Sequence, residues 1–304
     1  MALLVVAVWL TPHTAQPNEH LNIGFSRSII GGVKESDALA VIKVWATELM
    51  VSENYMVHVR PQIYGDVREI KTGLEQKLVD LIAIATNEFF DFQSLLDLEK
   101  IVFPVYDADM TEEYLLVVRK NSPVKELKDL MGGSLSILKN ARTALSIVWL
   151  DVKLARSGMP SAAYFFNRMK SADNISKALL PIFFGKEDAC LVTRKSFEIM
   201  AELNPQISHR LKILTASKGY IPGFLAFRKN YQSKIKEIAL NRFEFWSQVP
   251  AGHQILTIFQ VDALVPRPFD ILGPTVALIK EHRRFWGDDI GTARAESQAK
   301  SAAP

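Results

Sequence analysis

From Leu21 onward the chain alternates short apolar runs with longer amphipathic stretches, and this pattern constrains the fold more than any other feature. Strands separated by helices pair in parallel through crossover connections, so an α/β protein is expected. Leu21 to Phe25 reads as the first strand, and Ser36 or Asp37 caps a helix to about Val51 with Leu39, Ile42, Ala46 and Leu49 at helical spacing. Tyr55 to Ile63 alternates as a second strand, and Asp66 opens a helix through Leu78 with Val67, Ile70 and Leu74 inward. Leu81 to Ala85 is continuously apolar, as a strand covered on both faces must be. These elements form a βαβαβ unit.

Ile101 to Tyr106 and Tyr114 to Arg119 read as further strands, the latter ending at the turn Lys120-Asn121-Ser122-Pro123. The alternation then restarts with a helix at Val124–Leu130, a strand at Ser134–Leu138, a helix from about Ala141 to Arg156 and a strand at Ala163–Phe166. A helix at Asp173–Leu180, a strand at Ala189–Val192, a helix at Lys195–Glu202 and a strand at Lys212–Leu214 follow. Next, Gly223-Phe224-Leu225-Ala226-Phe227-Arg228-Lys229-Asn230 echoes Tyr114-Leu115-Leu116-Val117-Val118-Arg119-Lys120-Asn121. One such strand leaving the first unit and one returning to it form a two-strand hinge around an inserted second unit. Helices near Ser233–Ser247, Ala251–Ile258 and Phe269–Trp286 complete the first. The expected division is 21–112 with 225–287 as lobe 1 and 113–224 as lobe 2. Beyond Gly287 the chain lacks apolar periodicity, so 288–304 reads as a disordered tail.

Composition narrows the partners. Among 304 residues the 36 basic and 33 acidic side chains are mixed along the chain without a long basic run, so no nucleic-acid partner is expected. The lone Cys190 excludes an intramolecular disulfide, a cysteine metal site and a lipidated N-terminal cysteine, and reads as a small buried strand residue. The apolar run Ala2–Leu10, followed by Thr11 to Pro17, reads as a secretory signal within residues 1–20 and is too short to span a bilayer. The alternative, a buried N-terminal strand, is opposed by Pro12 and Pro17.

In order and spacing, several segments resemble the solute-binding proteins of phosphate, phosphite and phosphonate importers. They are Leu21-Asn22-Ile23-Gly24-Phe25, Tyr64-Gly65-Asp66, Gly73-Leu74, Val79-Asp80-Leu81, Val118-Arg119-Lys120, Asp188-Ala189 and Ile221-Pro222-Gly223-Phe224. The resemblance covers roughly Leu21 to His282. It implies the type II periplasmic binding protein fold, with two Rossmann-like α/β lobes joined by a two-strand hinge. It also implies a monomeric, secreted, soluble periplasmic protein that captures a small anionic ligand between the lobes for the membrane permease of an ABC importer. No catalysis, cofactor or metal is implied.

Such proteins bind at the C-terminal ends of strands and the N-termini of the helices that follow, where unpaired N–H groups and a partial positive charge suit an oxyanion. The resemblance therefore points to Ser26 after the first strand, and to Thr86 and Asn87 after the third, with Glu88 as a helix cap. Tyr64 either lines the cleft or is an ordinary half-buried strand-end tyrosine. Where the family usually has a run of small hydroxyl residues, this chain has Asn140-Ala141-Arg142-Thr143-Ala144. Asn140 can cap, Thr143 keeps a hydroxyl, and Arg142 either grips the anion bidentately or faces solvent. Phosphonate binders resembling this chain carry a histidine where Ala172 stands, and those that recognise an amino group have acidic residues where this chain has Thr193-Arg194-Lys195. Arg194 in place of an acid disfavours an aminoalkylphosphonate.

Enzyme signatures are missing from the sequence. The six histidines show no metal-ligand spacing, and there is no Gly-x-Ser-x-Gly elbow or phosphate loop. A relative of this fold that makes the thiamine pyrimidine uses a cysteine-rich segment, which one cysteine cannot supply. The remaining alternative is a sensing module that reports the same closure to a kinase or cyclase. His282-Arg283-Arg284-Phe285-Trp286 reads as the end of a packed terminal helix, the alternative being a docking surface.

Overall fold

The structure is a computed structural model that describes residues 19–30, 34–51 and 57–287. The expected secretory segment, apart from Glu19 and His20, and the expected tail at 288–304 lie outside the described residues. The first unit contains β1 (Glu19–Ser26), α1 (Arg27–Ile30), α2 (Glu35–Val51), β2 (Val57–Tyr64), α3 (Val67–Glu75), β3 (Leu81–Ala85) and β4 (Ile101–Val105). β1 lies parallel to both β2 and β3, as the strand-helix alternation requires. All five residues of β3 are buried, since helices cover both faces of the sheet. Gly24 in β1 is required by close approach, because a Cβ there would lie 2.6 Å from the Ile82 side chain and 2.9 Å from the Tyr64 ring.

The second unit contains β5 (Tyr114–Arg119), β6 (Ser134–Leu138), α4 (Ser146–Arg156), α5 (Ala162–Phe165), β7 (Arg168–Ala172), α6 (Ile175–Phe183), β8 (Ala189–Thr193), α7 (Arg194–Leu203), α8 (Gln206–Arg210) and β9 (Leu211–Ala216). Its strands form a separate sheet in the order β7-β6-β8-β5-β9. The chain then returns through β10 (Gly223–Phe227), α9 (Lys234–Arg242), α10 (Pro250–Ile258), β11 (Ala263–Arg267) and α11 (Gly273–Trp286). The first sheet is thereby completed in the order β11-β4-β10-β3-β1-β2, with β10 antiparallel to β3 and β11 antiparallel to β4.

Three sequence expectations are corrected. Residues 163–166, expected as a strand, belong largely to the short helix α5, whose Phe165 and buried neighbour Phe166 fill the core of the second unit. The true strand is β7, an edge strand with mostly exposed side chains, so it lacks the apolar signature of a covered strand. β11 is another edge strand absent from the sequence expectation, because Pro266 reads as a strand breaker although at the sheet edge no ladder bond is lost on its outer side. Leu127–Leu130 and Ala141–Thr143 form only 3₁₀ turns, so α4 starts at Ser146.

The echoing strands β5 and β10 each enter the middle of a sheet just after a crossing between the units. The crossings themselves meet one step earlier, where Tyr220 N donates to Glu112 O (3.0 Å) and Glu112 N donates to Tyr220 O (2.8 Å). Beside this pair, Ile221 is fixed from both sides. Its carbonyl accepts from the Thr86 hydroxyl (2.8 Å), and its N–H donates to the Thr275 hydroxyl (2.9 Å).

The C-terminal helix departs from the expected assignment of 225–287 to the first lobe. Leu278 and Ile279 of α11 join the apolar core of the second unit, and α11 packs on α4. His282 Nε2 lies 3.1 Å from the Asp151 carboxylate with both groups buried, while Arg156 holds Glu281 through two bonds of 2.7 and 2.6 Å. The same helix reaches back to the first unit through Arg283, 3.2 Å from Asp91 and over the Phe90 ring. The amphipathic stripe was legible in the sequence, but the partner for its apolar face was not.

Thr275→Val is expected to destabilise the protein by about 1–3 kcal/mol, because the buried Ile221 N–H is left without an acceptor. Urea unfolding of the variant would check this, and an unchanged midpoint would show that the clamp on Ile221 contributes nothing.

Candidate functional site

Residues after β1, β2 and β3 face residues after β6 and β7, the length of edge strand β7 and the residues just before β8 across a cleft of about 1210 Å³. This is where a doubly wound sheet presents its ligand, since the loops after parallel strands open there. The first-unit wall carries Arg27, Glu35, Asp66, Asn87, Glu88 and Asp91. The second-unit wall carries Lys139, Asn140, Arg168, Lys170, Lys177 and Lys186, with Asp173 and Glu187. The walls thus differ in sign, acidic side chains prevailing on one and basic side chains on the other.

Local structure explains the basic wall. Arg168 and Lys170 are two residues apart on edge strand β7 and therefore point to one side of the sheet. Both approach the buried carboxylate of Glu187, at 3.0 and 4.0 Å. Lys177, in the first turn of α6, pairs with Asp173 at 2.9 Å. On the opposite wall Arg27 pairs with Glu35 at 2.9 Å.

Glu88 is the unusual group in the cleft. Its Oε1 accepts from the Ser26 hydroxyl (2.7 Å) and the Ser28 hydroxyl (3.0 Å), and its Oε2 accepts from Ala85 N (3.0 Å). Burial raises its pKa above the ordinary carboxylate value, and the bonds from Ser26, Ala85 and Ser28 offset that only in part. Next to it, the Oδ1 of the Asn87 side chain, an acceptor, is buried without a hydrogen-bond partner. A buried polar atom of this kind at the edge of a cleft is available to a guest.

The structure separates the eight residues singled out from the sequence. Asn87 and Asn140 line the cleft. Ser26 lies just beneath the surface with its hydroxyl committed to Glu88. Thr86 is fully buried and tied to Ile221. Tyr64 is a core residue packed among Ile70, Leu74 and Val79, resolving its open alternative in favour of structure, and burial raises its pKa. Thr143 spends its hydroxyl on its own turn, accepting from Asn140 N and donating to Asn140 O, both at 3.0 Å.

Neither orientation considered for Arg142 is adopted. Its guanidinium lies over the Tyr106 ring, pairs with the buried Glu112 carboxylate and sits 3.5 Å from Asp107. It seals the crossing between the units. Burial raises the Glu112 pKa against the opposing pull of Arg142. Arg194 binds Glu113 at 2.7 Å beside the same crossing, and Lys195 lies 3.5 Å from Asp107. These basic residues face hinge carboxylates instead of the cleft.

The helix starts also differ from expectation. Asp66 accepts from Arg68 N and Glu69 N at the start of α3, and the Glu69 carboxylate takes Gly65 N at 2.7 Å. Asn174 accepts from Lys177 N at the start of α6, and Asn140 accepts from Thr143 N. Side-chain caps therefore occupy these amides, and the cleft presents side-chain donors. The strand ends were legible from the sequence. The basic wall was missed because its residues lie on a polar edge strand and the loops around it.

Two lobes, a two-segment hinge and a polar cleft at the strand ends define a solute-binding protein of the type II periplasmic class. The sequence matches the family of periplasmic substrate-binding proteins of phosphonate ABC transporters over residues 43–267, and the chain belongs to it. As a member of a transport family it is a binding component with a membrane permease as partner, and not an enzyme. No curated protein matches the sequence. Among solved structures, XAC2383 from Xanthomonas citri bound to ATP is similar, with a TM-score of 0.66, 14% identity and coverage of 88% of this chain and 98% of that one. The binding protein component of an ABC phosphonate transporter from Pseudomonas aeruginosa gives 0.60, 14%, 93% and 94% in the same order. PhnD1 from Prochlorococcus marinus in complex with methylphosphonate gives 0.59, 15%, 89% and 99%. At these identities the likeness speaks to the fold. Among the described residues no helix is long and apolar enough to cross a membrane, and no cluster of three or more candidate metal ligands occurs.

Arg142→Ala is expected to cost about 3–5 kcal/mol, since it leaves the buried Glu112 carboxylate unpaired. Replacing both members, Arg142→Met with Glu112→Leu, should recover most of the loss in urea unfolding. A second outcome follows from Glu88. Because its folded pKa is raised, its stabilising contribution is full below the ordinary glutamate value and is lost as pH rises through the raised one. Glu88→Gln should remove that component from the stability–pH profile, and an unaltered profile would contradict the assignment.

Proposed function

We propose that this protein captures a small, singly charged oxyanion of the phosphonate, phosphite or phosphate type in the cleft and closes on it. The observation that carries this reading is the basic second-lobe wall of Lys139, Arg168, Lys170, Lys177 and Lys186 across the cleft from Asn87 and Glu88. Ammonium and guanidinium groups give charge-assisted bonds to phosphoryl oxygens, while the open Asn87 Oδ1 can accept from a protonated P–OH. Glu88 restricts the charge of the guest. A dianion would meet its carboxylate, whereas a protonated P–OH can donate to it. The similar folds that hold methylphosphonate and ATP both enclose phosphoryl oxygens, which accords with the reading.

Closure moves the part of the chain between the crossings, expected as 113–224, against the remainder. Differential contacts in the closed form shift the equilibrium, and the permease reads that form. The protein acts as a secreted, soluble periplasmic monomer that delivers to the permease. A sensing role toward a kinase or cyclase would use the same closure.

A thermal-shift and calorimetric screen of phosphate, phosphite, methylphosphonate, alkylsulfonates and dicarboxylates tests the ligand class. A ligand at a hundredfold excess over its dissociation constant should stabilise by about 2.7 kcal/mol. Lys170→Ala should weaken the best oxyanion by about tenfold, within the range of one charge-assisted bond, and Glu88→Gln should tighten phosphate severalfold above pH 7. Binding of dicarboxylates alone, or no binding at all, would sink the reading.

A further inference from the structure

Two histidines stand opposite each other on one step of the β1–β2 ladder. His20 of β1 and His58 of β2 are direct register partners in parallel strands. Their side chains therefore leave the same face of the sheet from backbones about 4.8 Å apart. Both residues are exposed, and their ring centres lie 5.5 Å apart with the rings tilted by 36°. The pair is remote from the cleft. β1 runs from Glu19 to Ser26, and six residues of extended chain put His20 about 20 Å from the end that opens into the cleft.

This spacing matches what two imidazoles need to share a metal ion. Zinc binds an imidazole nitrogen at about 2.0–2.1 Å, which puts each ring centre about 3.2 Å from the ion, and at the tetrahedral angle two such centres are about 5.2 Å apart. Rings stacked in contact would exclude an ion, whereas at the observed separation and tilt they leave room for one. Being exposed, both rings can turn about χ2, so one nitrogen of each can be aimed at a common point. Water completes the coordination, as it does at open zinc sites. Next along the same face stand Asn22 and Arg60, again register partners. The Asn22 amide is committed to Asp80 at 2.8 Å, and Arg60 is exposed, so its long side chain can keep its charge in water.

We propose that His20 and His58 form a two-imidazole site for a divalent transition metal, Zn²⁺, Ni²⁺ or Cu²⁺, that bridges β1 to β2. Imidazole suits these ions, whereas Mg²⁺ and Ca²⁺ prefer oxygen ligands. Two ligands fixed on adjacent strands act as a chelate, since the second binds at the effective concentration the sheet imposes. The bridge pins the register of β2, the edge strand of the first sheet, and does not depend on the oxyanion reading of the cleft. The other described soft ligands are placed apart from it. His282 is buried against Asp151, Cys190 is buried, and His209 and His253 stand on α8 and α10.

Isothermal calorimetry on the full chain at neutral pH with Zn²⁺ and Ni²⁺, and with Mg²⁺ for comparison, tests this. His20→Ala and His58→Ala are each expected to weaken Zn²⁺ binding by about a hundredfold, the order of the lost chelate gain, whereas His253→Ala leaves it unchanged. Zn²⁺ should also raise the melting temperature of the unmodified protein and of His253→Ala but not of the other two variants, with circular dichroism confirming that each is folded. The assignment is overturned if neither Zn²⁺ nor Ni²⁺ binds the unmodified chain, if Mg²⁺ binds as tightly, if Zn²⁺ binding survives His20→Ala or His58→Ala, or if it is lost equally in His253→Ala.

Discussion

Two backbone hydrogen bonds between Glu112 and Tyr220 hold the lobes at the only described place where the outgoing and returning crossings pair. Around them the chain has gathered an unusual density of compensation. Arg142 covers the Glu112 carboxylate, Arg194 takes Glu113, and Lys195 approaches Asp107. A buried carboxylate without a partner is costly, so the sequence can keep Glu112 here only while Arg142 stays in place. On the returning segment, Thr86 of the first lobe and Thr275 at the start of α11 grip the same residue, Ile221. The crossing is tied by these backbone and side-chain bonds.

That arrangement explains why the cleft is polar and the hinge side apolar. Strand ends open outward into loops, where charged side chains stay hydrated, and the two walls accumulate opposite signs. Closer to the hinge the space is walled by Phe25, Ile29 and Phe259, because there the sheet meets its covering helices. The raised pKa of Glu88 belongs to the same gradient, since it sits at the inner edge of the cleft where hydration falls away.

The C-terminal helix adds a third link. Its apolar face is buried on α4 and its charged residues reach both lobes, through Arg156 to Glu281 on one side and Arg283 to Asp91 on the other. The buried His282–Asp151 contact lies inside this seam, and Asp151 also accepts from Ala162 N at 2.6 Å. The histidine therefore organises packing, as its place in an amphipathic helix suggested. This helix thus ties the two lobes together through packing on one and an ion pair to the other.

The sequence by itself determined the elements whose burial leaves a pattern. β3, β5, β8 and β10 are covered on both faces, and their continuous apolar runs announce them. Asp66 and Ser233 announced helix starts because capping is local chemistry. Edge strands β7 and β11 left no such trace, since half of each faces solvent or a neighbour chosen by the fold. The tertiary structure alone decided where polar side chains point. Arg142, Thr143 and Tyr64 carry the right chemistry for an anion site, yet a carboxylate, a turn and a core each claimed one of them. A side chain binds whichever partner folding brings within reach, and for residues far apart in sequence that distance is set only when the two sheets come together.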